Sequence, residues 1–180
     1  MSTLRSQIRS AAQTLLAKSG ARVLPIDLEV VAKHLAIRVL YENMDDDMSG
    51  LLVVKAGRRA VGVNRTHHRN RQRFTIAHEI GHFVLHHKSF VDPKNDLHWD
   101  KKWAYFRSSV ELPSDKQDEY EANQFAAELL MPEDLLRDFV KREQIDLSDD
   151  IEFSRLAEAL EVSQQALTIR LMVLKMAKPY

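Results

Sequence analysis

Between Phe74 and His87 the chain reads FTIAHEIGHFVLHH, which gathers four of its eight histidines around one glutamate. His78 and His82 are four residues apart. On an α-helix that spacing stacks two side chains one turn apart on one face, so two imidazoles can chelate a single ion. Glu79 is offset by about 100° and lies beside the pair, where a carboxylate can act as a general base. His78 and His82 share their face with Phe74, Ala77, Gly81 and Leu85. Imidazoles turned toward a core need partners, and a metal ion supplies one partner for both.

The remaining histidines of the stretch do not complete the set. His86 prolongs the i, i+4 series, but eight residues rise about 12 Å along a helix, too far for an ion held at about 2 Å by His78 and His82. His87 falls on another face. A metzincin-type third ligand would need glycine at position 85 and histidine at 88, where this chain has Leu85 and Lys88. The chain has no cysteine, so thiolate ligands are excluded. A carboxylate from a second helix is the alternative.

The stretch DEYEANQFAAELLMP offers such a helix. Glu119, Ala122, Asn123, Ala126 and Leu130 fall on one face at steps of three and four, and two alanines there allow close approach to a neighbour. Glu121 and Glu128 lie seven apart on another face and read as solvent-directed. Glu119, a carboxylate on the small-residue face, is the third candidate ligand. Asn123, one turn later, is placed to hydrogen-bond a ligating histidine or the Glu119 carboxylate.

These side chains need a scaffold. At 180 residues and 44% hydrophobic content the chain suits one compact domain with a real core. Its 26 basic and 26 acidic residues balance, so no global polyanion-binding signature is present. Locally, residues 58–73 hold six arginines, two histidines and no acid, read chiefly as a solvated loop and helix start. No apolar run reaches the roughly 20 residues that span a bilayer. A docked amphipathic helix over Leu4–Ala17 explains the acid-free N-terminal segment better than a targeting peptide does. The expected location is cytoplasmic.

The pattern predicts that first helix, a second one capped by Asp27, and a strand over Ile37–Tyr41. A hairpin of Leu51–Lys55 with Arg59–Asn64 follows, and then the HExxH helix from Asn70. After the aperiodic residues 89–118, which read as part of a cleft wall, come a helix over Asp115–Leu130 and another opening at Pro132. Two more helices are expected over Ile151–Leu160 and Gln164–Met176, with Ser163 as N-cap. The class is α+β, mostly helical, with a small antiparallel sheet packed on the HExxH helix. Residues 1–145 form the metal-bearing domain and 146–180 a helix-turn-helix-like subdomain. In that last pair only Arg170 and Lys175 are basic on the second helix, and Asp146, Asp149, Asp150 and Glu152 precede it. DNA binding is therefore not the expected primary role.

RQRFTIAHEIGHFVLHH followed by EANQFAAELLMP resembles the ImmA/IrrE family of zinc metallopeptidases. The likeness extends upstream through PIDLEVVAKHLAI and SGLLVV and downstream to the C-terminal helices. In that family the HExxH histidines and the glutamate of an ExxAN motif hold zinc. The resemblance thus implies one zinc ion per chain on His78, His82 and Glu119, with Glu79 as general base. It also implies a site-specific endopeptidase whose partner is a helix-turn-helix repressor, cleaved in mobile-element, stress-response or toxin–antitoxin-like regulation. The substrate would lie extended along an exposed strand, for which Arg59–Asn64, with Val61, Val63 and Asn64, is the candidate. Tyr105, His98 and Tyr120 are candidate oxyanion donors. The competing reading is a regulatory protein-binding or DNA-binding module with a non-catalytic zinc site. Glu79 argues against it, because a structural site does not need that residue.

Overall fold

The computed structural model describes residues 2–55, 57–85 and 116–176. Helix α1 (Ser2–Ser19) leads to α2 (Leu28–His34), then to strands β1 (Ile37–Glu42), β2 (Gly50–Lys55) and β3 (Arg58–Asn64). Helix α3 (Arg69–Val84) carries the HExxH motif. Beyond it lie α4 (Lys116–Leu130), α5 (Glu133–Arg142), α6 (Asp150–Ala159) and α7 (Gln164–Val173). Local chemistry sets several boundaries where expected. The Asp27 carboxylate accepts from the amides of Glu29 and Val30 at 2.9 and 3.1 Å, and Ser163 Oγ accepts from Ala166 N at 3.1 Å.

The sheet is mixed, not antiparallel as the sequence suggests. Its order is β1-β3-β2. β2 pairs antiparallel with β3, as the hairpin requires, but β1 pairs parallel with β3, Ile37 opposite Arg59 and Glu42 opposite Asn64. The acidic loop after β1 carries the chain past the middle position, and the hairpin then returns β3 into it. Burial explains the order: Ala60, Val61, Val63 and Asn64 are all fully buried, a continuous run that suits a central strand.

One apolar cluster joins the sheet to the helices. Ile8, Ala12, Leu15 and Leu16 of α1, Val31 of α2, Val61 and Val63 of β3, Ile76 and Ile80 of α3, and Phe125 and Leu129 of α4 belong to it. So do Leu136 of α5, Leu156 of α6 and Leu167 and Leu171 of α7, so the C-terminal pair shares this core. The contact of α3 with α4 is especially close. A β-carbon at Gly81 would lie 3.2 Å from the backbone of Ala122, so glycine and alanine together let the two helices meet.

One charged feature differs from its reading in the sequence. Glu128 is not solvent-directed: it is 9% exposed and forms a bidentate pair with Arg170, itself 3% exposed, at 2.7 and 2.6 Å. The arginine arrives from α7, 42 residues on. The basic run of 58–73 largely keeps its solvated reading: Arg58, Arg65, Arg69 and Arg71 are exposed, and Arg59 and Arg73 are partly buried, though several of these side chains hydrogen-bond neighbouring segments. Arg59 donates to Leu35 O and covers the Phe83 ring, Arg65 donates to Tyr41 O, Arg71 to Ser49 Oγ and Arg73 to Ile26 O. No helix among the described residues is long and apolar enough to cross a membrane.

Candidate metal centre

Helix α3 presents His78 and His82 toward α4, and α4 presents Glu119 and Asn123 toward α3. The Nε2 atoms of His78 and His82 are 3.0 Å apart. Glu119 places Oε2 3.3 Å from His78 Nε2 and Oε1 3.3 Å from His82 Nε2. These atoms form a group able to hold a metal ion, all within 4.8 Å of one another. Zinc bonds of about 2.0–2.2 Å in a tetrahedral arrangement separate neighbouring donor atoms by about 3.3 Å, so the spacing and the N,N,O chemistry fit such an ion. The imidazoles are partly buried and Glu119 is more open, with 39% of its side chain exposed.

Asn123 fixes one ligand. Its Oδ1 lies 3.0 Å from His78 Nδ1. An amide oxygen can only accept, so the proton belongs on Nδ1 and the Nε2 lone pair is left facing Glu119 and His82.

Glu79 sits on the sheet side of the pair. The residue keeps some exposed surface, but its carboxyl is enclosed. Burial pushes its pKa up to about 8, the Glu119 charge adds to the rise, and a hydrogen bond from the Leu52 amide acts in the opposite direction. Gly50 makes this approach possible: a β-carbon there would overlap Thr75 and come 2.8 Å from Gly62 O.

The Leu52 bond has a further meaning. Asn64 N donates to Ser49 O, so residues 49 and 64 face each other as a hydrogen-bonded pair. In an antiparallel ladder such pairs alternate, so Gly50, Leu52 and Val54 turn their amides and carbonyls away from β3. Glu79 therefore takes an amide on the edge of β2 that faces no strand among the described residues, a position not foreseen from the sequence.

The sequence-predicted residues sort as follows. His78, His82, Glu119 and Asn123 are brought together, with Glu79 beside them. The candidate strand Arg59–Asn64 is corrected: β3 is central, paired on both edges, and Val61, Val63 and Asn64 are buried. Asn64 instead holds the acidic loop, donating to Met44 O, Asp45 O and Met48 O while Thr66 donates to its Oδ1. Tyr120 is not brought to the cluster; its hydroxyl lies 3.5 Å from Arg5 on the α1 side of α4. His86, His87, His98 and Tyr105 lie outside the described residues. Alternation along β2 was the readable signal for its outer edge, once the strand order was known.

Two imidazoles one helical turn apart, closed by a carboxylate from a second helix and flanked by a glutamate, make a donor set of the metallopeptidase type. The family model described as the IrrE N-terminal-like domain, a peptidase family, matches residues 32–172, and the chain belongs to that family. Among solved structures, a Mycobacterium tuberculosis transcriptional regulator is similar in fold, with a TM-score of 0.57 at 17% identity. The match covers 92% of this chain and 46% of that one, so this chain spans less than half the regulator's length. No curated protein matches the chain.

Proposed function

We propose that this protein is a zinc-dependent, site-specific endopeptidase that cleaves a helix-turn-helix transcriptional repressor in the cytoplasm. The observation that carries the reading is the convergence of His78 Nε2, His82 Nε2 and the Glu119 carboxylate, with spacings of 3.0 and 3.3 Å, beside the enclosed carboxyl of Glu79. When bound there, one zinc ion supplies Lewis acidity and makes water a nucleophile near neutral pH.

The chain's own residues do the rest. Asn123 holds His78 in the tautomer that leaves Nε2 unprotonated toward the site. Glu79 receives a proton from water and later returns it to the leaving amine. With a cation held by His78, His82 and Glu119, the Glu79 carboxylate would be favoured in its ionised form, against the burial that raises its pKa. The Leu52 amide orients the Glu79 carboxylate. A substrate segment lies extended along the outer edge of β2, where Gly50 and Val54 turn outward main-chain groups that pair with no strand among the described residues. That edge replaces β3 as the proposed substrate strand.

The proposal is tested by incubating the zinc-loaded protein with the helix-turn-helix regulator encoded nearest to it. One metal-dependent cut is expected from the wild type. Glu79→Gln should retain zinc and lose activity by roughly a hundred- to ten-thousand-fold, the usual contribution of a general base. Undiminished cleavage by Glu79→Gln excludes the mechanism.

A further inference from the structure

A second cleft opens on the other side of the metal-bearing helix. Arg69, Gln72, Arg73 and Ile76 follow at helical spacing on the face of α3 opposite to His78 and His82. They line a cleft of about 510 Å³ together with Ile26, Tyr41 and Glu161. That volume is in the range of small-molecule sites. Tyr41, 37% exposed, offers it an accessible aromatic side chain, while Ile26 and Ile76 are themselves buried, and its polar groups converge.

The cleft already holds a carboxylate, and that carboxylate is the chain's own. Glu161, in the turn between α6 and α7, accepts from Arg69 Nη2 at 2.7 Å and pairs with Arg73 Nη1 at 3.1 Å. Asn70 Nδ2 fastens the same turn by donating to Val162 O at 2.9 Å. Arg73 has just 13% of its side chain exposed, and its Nη2 donates to Ile26 O. Its Nε is buried and meets no acceptor among the described residues. Of the other acids lining the cleft, Asp27 is engaged by the first amides of α2. Glu29 lies near Tyr41, whose hydroxyl pKa is raised by burial first and by Glu29 second, while Arg69 and Arg73 act the other way.

We propose that this cleft binds a small organic anion, a carboxylate or phosphate monoester with an apolar body, which takes Arg69 and Arg73 from Glu161. A planar guanidinium fork matches either head group. Because Glu161 is one of the ties between the α6–α7 turn and α3, the same ligand removes that tie and leaves the Asn70–Val162 bond in place. The site is thus an effector cleft behind the metal helix, with Glu161 as its internal competitor. It does not depend on the proposed peptidase activity.

The test uses the metal-loaded full chain, titrated at constant ionic strength with phenyl phosphate, inorganic phosphate and uncharged benzyl alcohol. Backbone amide shifts of residues 69–76 and 160–163 locate the binding. Phenyl phosphate should saturate these shifts, and Glu161→Gln should bind it about tenfold more tightly. Arg69→Gln, at a side chain 71% exposed and safe for folding, should weaken binding about tenfold. Benzyl alcohol should give no response. Affinity unchanged in both variants would overturn the proposal, as would shifts confined to the metal site. Equal affinity for inorganic phosphate would overturn the organic-anion assignment.

Discussion

Helix α4 carries two glutamates nine residues apart that meet opposite fates. Glu119 stands at its open end, 39% exposed, with one carboxylate oxygen turned to each of two imidazoles. Glu128 is buried near the other end and gripped by both Nη atoms of Arg170, with Arg9 3.6 Å away. The first pair of partners leaves donor lone pairs converging on one point, which is chemistry. The second satisfies a buried charge completely, which is architecture. A carboxylate on a core-facing helix thus takes its meaning from what the next helix brings to it.

The comparison can be broken first at its architectural end. Arg170→Ala leaves Glu128 buried with only the longer Arg9 contact, and a loss of about 3–5 kcal/mol in stability is expected by chemical denaturation. Zinc stoichiometry of the folded fraction should not change. The double variant Glu128→Leu with Arg170→Met should recover most of the loss, since an apolar pair removes the unpaired charge. No recovery would mean that the two residues do not act as a pair.

At the chemical end the next effect is smaller. Asn123→Ala removes the acceptor for His78 Nδ1 and should weaken zinc binding about ten- to a hundredfold in a chelator competition, with the fold intact. Unchanged affinity would show that His78 is oriented by something else.

The sequence made much of this arrangement legible, and for a physical reason. Helical period alone placed His78 with His82 and Glu119 with Asn123, and the two alanines Ala122 and Ala126 signalled that this face could approach another helix closely. Caps at Asp27 and Ser163 depend on the local chain and read directly. Non-local facts did not. The parallel pairing of β1 depends on which strand the hairpin returns to the middle, and two orders satisfy the same alternation. Hence Val61, Val63 and Asn64 read as an exposed strand, although β3 is covered on both edges. Glu128 read as solvent-directed because its partner, Arg170, comes from α7, 42 residues further along the chain.

A graded effect should separate the two carboxylates that flank the metal site. In the metal-free chain the folded state holds Glu79 near pKa 8, above its ordinary 4.5. The sign follows from linkage: the stabilisation is full below pH about 4.5 and is lost as pH rises through about 8. Thermal unfolding of chelator-treated protein should therefore show the wild type losing stability relative to Glu79→Gln between pH 5 and 8. Parallel curves would contradict the enclosure of that carboxyl.

The most direct test of the central claim counts metal. Wild type, Glu79→Gln and Glu119→Gln are purified, exposed to zinc, dialysed against a mild chelator and analysed for bound ion, with circular dichroism confirming the fold. The account predicts about one zinc per chain in the first two and almost none in Glu119→Gln. Full occupancy in folded Glu119→Gln would contradict it, because the ion would then be held without the carboxylate that joins α4 to α3.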